Sequence, residues 1–247
     1  MFKFSITAIL LSVFLAACST SSAKKSNDDS IVENGISRTF KKDGKLFSEI
    51  TLKNGKKTGA SKTYYDNGKI WQEENYENDK RNGLTKQYYE EGTLSKVTNY
   101  KEDLLDGISQ KFRKDGIQAW EARYERGMPC NGLKEYYTNG KLKTDYSTIV
   151  IDVVDDLRNS GVYKLKLHLS DNSKSVKFYR GYLTQTGCFD KSKVEELYPN
   201  KDGKAELVYF LSPSEFKMEE IGIIAVVETI QDNYFLATRF YNLSITN

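Results

Sequence analysis

Few residues in this chain could do covalent chemistry, and their spacing limits them further. There is one histidine, His168, and there are three cysteines, Cys18, Cys130 and Cys188. Nucleophilic catalysis needs a base within hydrogen-bond reach of an activated hydroxyl or thiol. Cys188 with His168 supplies the residue types, but no Gly-x-Ser-x-Gly elbow exists and nothing in Gly187-Cys188-Phe189 marks an activated thiol. His168 falls on the polar side of an alternating strand, where solvation accounts for it. Carboxylate pairs such as Glu73-Glu74 and Glu90-Glu91 would alternate faces or flank turns, so they do not converge. Asp152, Asp155 and Asp156 could gather calcium with a loop carbonyl, but they lack the regular spacing of a calcium loop. One histidine and no Cys-x-x-Cys argue against a metal centre, and no phosphate-binding glycine loop is visible. The expectation is no catalytic residue, no cofactor and no metal.

Cys18 carries a different chemistry. Residues 1–17 read as an export signal, with Lys3 as the positive start and Ile6 to Leu15 as an apolar core too short to span a bilayer. Leu15-Ala16-Ala17-Cys18 resembles the bacterial lipobox. That resemblance implies a Cys18 lipidated on its thiol, cleaved to become the new N-terminus and acylated on its amine. Several acyl chains on one residue suffice for stable anchoring. Ser19 rather than Asp follows, which in enteric-type bacteria implies sorting to the outer membrane. Residues 18–33 are small and polar and read as a flexible tether. In an exported chain Cys130 and Cys188 could pair, tying the last repeat to the second domain, or stand as two unpaired thiols. The sequence leaves both open.

Between residues 34 and 146 one unit is written almost five times. Units open at Gly35, Gly59, Gly83, Gly107 and Gly132, in three steps of 24 residues and one of 25. Each contains an acidic or amide residue before glycine: Asp43-Gly44, Asn67-Gly68, Glu91-Gly92, Asp115-Gly116 and Asn139-Gly140. Such pairs tolerate positive φ at both central positions and favour hairpin turns. A second turn set closes the units at Asn54-Gly55, Asn78-Asp79, Glu102-Asp103 and Arg126-Gly127. Bulky side chains recur at fixed offsets, as in Phe40, Tyr64, Tyr88, Phe112 and Tyr137, and again in Leu52, Tyr76, Tyr100 and Tyr124. An isolated hairpin is marginal in water, so the hairpins must stack into one sheet.

The stretches GASKTYYDNGKIWQEENYENDKRNG and GLTKQYYEEGTLSKVTNYKEDLLDG resemble the variant form of the MORN repeat. Unit one departs with Leu52 at a Tyr position, and unit four with Phe112-Arg113 in place of the doubled aromatic. The resemblance implies a binding scaffold and, within bacteria, a likeness to variant-MORN antitoxins of the YwqK type.

After Tyr146 the glycine rhythm stops. Strand patterns follow at Ile149 to Val154, Val162 to Leu169, Val176 to Tyr182, Ala205 to Leu211, Ile221 to Ile230 and Tyr234 to Tyr241, with a helical turn at Ser192 to Leu197. Residues 147–247 therefore read as an antiparallel β-sandwich, immunoglobulin-like in architecture. The whole is expected to be all-β.

Residues 34–146 hold 22 basic and 17 acidic residues, against 12 and 14 in residues 147–247. No dense basic run or base-stacking signature points to nucleic acid. Side chains at identical offsets are packing, so ligand contacts should fall where units differ. That logic selects Tyr65, Trp71, Tyr89, Arg113 and Trp120 as the binding surface. The expected function is a non-enzymatic lipoprotein of the bacterial envelope that binds a protein, with a toxin as the partner the antitoxin likeness implies. The alternative is a structural or assembly lipoprotein touching lipid or peptidoglycan.

Overall fold

The computed structural model describes residues 33–247. The signal at 1–17, Cys18 and all of the tether before residue 33 lie outside the described residues.

Period-two patterning and closely spaced turn residues give a chain that is nearly all antiparallel strand. The first eleven strands are β1 (Gly35–Phe40), β2 (Leu46–Lys53), β3 (Lys56–Tyr64), β4 (Ile70–Glu77), β5 (Lys80–Arg81), β6 (Gly83–Tyr88), β7 (Leu94–Lys101), β8 (Leu104–Phe112), β9 (Gln118–Glu125), β10 (Met128–Pro129) and β11 (Lys134–Glu135). They form one sheet in the order β1-β2-β3-β4-β6-β7-β8-β9-β10, with β5 paired to β4 and β11 to β9.

Two kinds of turn alternate along this sheet. The closing turns hold both central residues at positive φ, between 50° and 82°, at Asn54-Gly55, Asn78-Asp79, Glu102-Asp103 and Arg126-Gly127. This is the tight turn whose twist matches a hairpin. The other set departs from the sequence expectation, because at Asn67-Gly68 and its equivalents only the glycine has positive φ. Gly68 N–H donates to the Tyr65 carbonyl and Tyr65 N–H to the Lys69 carbonyl, closing a longer loop. The Asn67 side chain accepts from the Lys69 N–H at 2.9 Å, and Asp43, Asp115 and Asn139 act likewise. The acidic or amide residue is there to cap the turn, not for its own left-handed backbone. A β-bulge follows each of the first four loops, leaving Phe47, Trp71, Ser95 and Ala119 as the extra residues.

The sandwich comprises β12 (Ile149–Asp156), α1 (Leu157–Ser160), β13 (Val162–Leu169), β14 (Val176–Arg180), β15 (Glu195–Glu196), β16 (Tyr198–Lys201), β17 (Lys204–Phe210), β18 (Phe216–Glu228) and β19 (Tyr234–Thr246). Its two sheets run β12-β13-β17-β16 and β15-β14-β18-β19. Leu165, Leu167, Leu169, Phe178, Ile221, Ile223 and Ala225 fill the space between them. β18 and β19 outrun the expected strands because their distal halves stay paired while burying only Leu243 and Ile245 from β19 there. The expected helical turn at Ser192 to Leu197 is a 3-10 turn at Lys191–Lys193 that leads into β15.

Successive units are tied through their closing turns. Lys57 N–H donates to Asp79 Oδ1 at 2.8 Å, and one unit later Arg81 N–H donates to Asp103 Oδ1 at 3.0 Å. The Asp79 and Asp103 N–H groups donate back to the Lys57 and Arg81 carbonyls. The Arg81 backbone N–H, and then its guanidinium, hold the Asp103 carboxyl below the usual carboxylate range. A carboxylate with a depressed folded pKa stabilises above its unfolded value and loses that contribution as pH falls through the folded one. Asp103→Ala is therefore expected to cost about 1 kcal/mol at pH 7 in urea unfolding, and the gap to the parent chain should shrink as pH is lowered below about 4.

Candidate functional site

Paired residues in an antiparallel sheet share a face, so the register sorts the repeat sheet into two surfaces. One carries a ladder of alternating charge, Arg38, Glu49, Lys62, Glu73 and Lys86, across β1 to β6. Tyr64 donates to Glu49 Oε2 at 2.7 Å and Tyr88 to Glu73 Oε2 at 2.9 Å. Burial and then the Glu49 bond push the Tyr64 phenol up to about 12. In the next unit Val97 takes the carboxylate's place opposite Gln110, and Phe112 takes the tyrosine's. The hydroxyl is absent where its acceptor is absent.

The opposite surface has three rows. Tyr76, Tyr100 and Tyr124 lie across from Gly59, Gly83 and Gly107. Glycine is required at Gly107, where φ is +107° and a Cβ would come within 2.9 Å of Asn99 Nδ2. The middle row contains the buried hydroxyls of Ser61, Thr85, Thr98 and Ser109. The outer row runs Thr39, Ser48, Thr63, Gln72, Gln87, Lys96, Lys111, Trp120 and Glu135. The bulge residues belong to this surface, because Ser95 Oγ accepts from Lys111 Nζ at 2.8 Å. At the equivalent positions Phe47 is 44% and Trp71 41% exposed.

The structure gives the five residues picked from sequence several settings. Tyr65 donates to the Tyr88 carbonyl at 2.7 Å and Tyr89 to the Phe112 carbonyl at 2.8 Å. Arg113 holds the same place one unit on and donates through Nη2 to the Tyr136 carbonyl. These three side chains tie each unit to the backbone of the next. Trp120 is 8% exposed, clustered with Ala119, Ala122 and Leu133 against Tyr146 and Phe235 of the sandwich end. Trp71, at 41%, is the most exposed of the five. Lys96 and Lys111 escaped sequence reasoning, although aligning the units column by column shows Ser, Gln, Lys, Trp and Thr, Thr, Gln, Lys at their positions.

The last repeat meets the sandwich through two contacts. A disulfide joins Cys130 to Cys188, flanked by Asn131 N–H to the Gly187 carbonyl and Phe189 N–H to the Pro129 carbonyl. Arg123 donates to the Thr186 carbonyl, and Thr186 Oγ1 to Glu125 Oε2 at 2.6 Å. A Glu125 carboxylate oxygen lies within 4.8 Å of both sulfurs, which are bonded to each other. Beside the disulfide is a cavity of about 850 Å³ lined by Glu125, Met128, Tyr182, Thr184 and Lys193, among others. In the second contact Glu135, 1% exposed, accepts from Thr229 Oγ1 at 2.7 Å and Asn233 Nδ2 at 3.2 Å. Tyr146 stacks on Phe235 at 4.3 Å, and burial, then the Glu135 charge, push its phenol up.

His168 bonds to the Leu169 carbonyl and to Asp152 Oδ2, at 2.9 and 3.2 Å. The Ser170 hydroxyl accepts from Thr148 N–H. Asp155 caps Leu157 N–H, and Asp156 accepts from Asn159 and Ser160. These carboxylates are used locally.

Residues 33–54, 57–78, 81–102 and 133–148 match the MORN repeat variant family. The matched stretches cover less than half of the chain and mark several of its units as similar to MORN repeats, which suggests a binding scaffold. The family model leaves the unit at Gly107 unmatched, where Phe112-Arg113 stands in place of the doubled aromatic. The chain is also similar to the extracellular domain of a one-component system from B. thetaiotaomicron, at 11% identity and a TM-score of 0.23. That alignment covers 87% of this chain and 37% of the other, so the chain spans just over a third of that structure's length. No curated protein matches it.

The cysteines are 58 residues apart, and closing a loop of that length is worth about 4 kcal/mol by chain entropy. Cys130→Ser/Cys188→Ser, or reduction of the parent chain, should lower the urea midpoint. Equal midpoints with and without reductant would show that the bridge contributes nothing to the junction.

Proposed function

We propose that this chain is a lipoprotein of the bacterial envelope, anchored through Cys18 at the outer membrane, that binds a protein partner with its repeat sheet and does no chemistry on it. The observation that carries this reading is the tyrosine-and-hydroxyl surface. It presents Phe47 and Trp71 at successive bulges, both partly exposed, beside a row of amide and hydroxyl side chains. Rigid aromatics beside adaptable polar groups are the composition of a recognition surface. The antitoxin likeness makes a toxin the partner of choice, and the protein would act as an immunity factor that captures it in the periplasm.

The test has two arms. Labelled fatty acid should enter the parent chain and not Cys18→Ser, which should leave the membrane fraction. Crosslinking of the lipidated chain in envelopes should then capture one dominant protein, and Phe47→Ser/Trp71→Ser should reduce that capture about tenfold or more. Co-sedimentation with peptidoglycan or lipid, and no protein crosslink, would replace this reading with a structural one.

A further inference from the structure

Lys96 on β7 and Lys111 on β8 are directly opposite each other in the antiparallel register. Like charges at facing positions repel, and opposite charges are the usual choice there. The other surface of the same sheet follows the usual choice: Arg38 meets Glu49 at 2.7 Å, and Lys134 meets Glu121 at 2.8 Å. Among the described residues no carboxylate reaches Lys96 or Lys111. Lys111 donates to the Ser95 hydroxyl and lies 5.4 Å from the Tyr89 ring centre. The Lys96 ammonium lies 5.5 Å from the Trp120 ring centre. Burial, and then the Lys111 charge, hold the Lys96 ammonium below the usual lysine range.

The units either side show that this pair is local. The columns that hold Lys96 and Lys111 read Ser48, Gln72 and Trp120, and Thr39, Thr63 and Gln87, in the other units up to β9, all neutral; the next residue of the row, Glu135 on β11, accepts from Thr229 and Asn233. The bulge residue also shrinks here, from Phe47 and Trp71 to Ser95, whose hydroxyl Lys111 reaches. Two positive charges with neutral residues on either side of them along the row match one compact anion. They do not match a phosphate polymer or a bilayer surface, which need an extended basic field.

We propose that Lys96 and Lys111, with the Ser95 hydroxyl, form an oxyanion seat that receives an acidic side chain, Glu or Asp, of the bound polypeptide. The carboxylate would accept from both ammonium groups and relieve their repulsion, while Tyr89 and Trp120 wall the seat on either side. This rests on the protein-binding reading and specifies its anchor. The seat lies on the same surface as Phe47 and Trp71, one unit beyond Trp71.

Trp120 is a built-in reporter, since Trp71 is the other tryptophan in the chain. In the full chain carrying Trp71→Phe, hexaglutamate should change Trp120 emission saturably and more weakly at higher salt. Lys96→Gln/Lys111→Gln should weaken that binding about tenfold or more, with no loss of urea stability because a repulsion has been removed. Lys96→Arg/Lys111→Arg should retain binding, which controls for misfolding. Equal hexaglutamate affinity in the glutamine variant would overturn the proposal. So would a response to inorganic phosphate or phosphatidylglycerol vesicles without one to hexaglutamate. In the envelope crosslink, a partner captured equally by the parent and the glutamine variant removes the acidic anchor and leaves the protein-binding reading standing. Absence of any captured partner removes the latter.

Discussion

The structure depends on one side-chain bond made again in three successive units. At the same place in three successive repeats, Tyr65, Tyr89 and Arg113 donate to a backbone carbonyl 23 residues further on. A single sheet of hairpins has no second layer against which to bury an apolar face, so its units must be joined along the sheet. The closing-turn carboxylates of Asp79 and Asp103 make a second tie at two of the closing turns. Every such bond is worth only about 1 kcal/mol net. Their regular repetition is what makes the array hold, each unit steadied by its neighbours.

The far end of the array is held differently. At β9 the buried row turns apolar, Ala119, Trp120 and Ala122, and packs with Leu133, Tyr146 and Phe235. The Cys130–Cys188 bridge and the Glu135 bonds to Thr229 and Asn233 fasten this end to the sandwich. The sandwich, whose two sheets enclose a core of Leu, Ile, Phe and Ala, supplies the hydrophobic mass that the repeats lack. The repeats can then spend their side chains on surface chemistry, alternating charge on one side and aromatic, hydroxyl and lysine rows on the other.

Much of this was legible in the sequence because a 24-residue period with turn residues at fixed offsets admits few architectures. The alternation of Tyr163, Leu165, Leu167 and Leu169 likewise placed the sandwich core. Turn type was not legible, since Asp-Gly and Asn-Gly suit both a two-residue turn and a longer loop capped by the side chain. The role of Arg113 was hidden because it replaces Tyr65 and Tyr89 with different chemistry and the same destination. β15 and β16 are too short to show a pattern. The Lys96–Lys111 pair needed register: an irregularity between Thr98 and Tyr100 sets which residues of β7 and β8 meet, and such shifts leave no plain mark on one sequence.

The central physical claim is that the array is a nearest-neighbour chain of hairpins made fast at the sandwich end. Native-state hydrogen exchange along β1 to β9 tests it directly, because protection reports local opening unit by unit. The account predicts the strongest protection in β9 and β8 and a stepwise fall through β7, β6, β4, β3 and β2 to β1. Uniform protection across all of these strands, or protection greatest at β1, would contradict it.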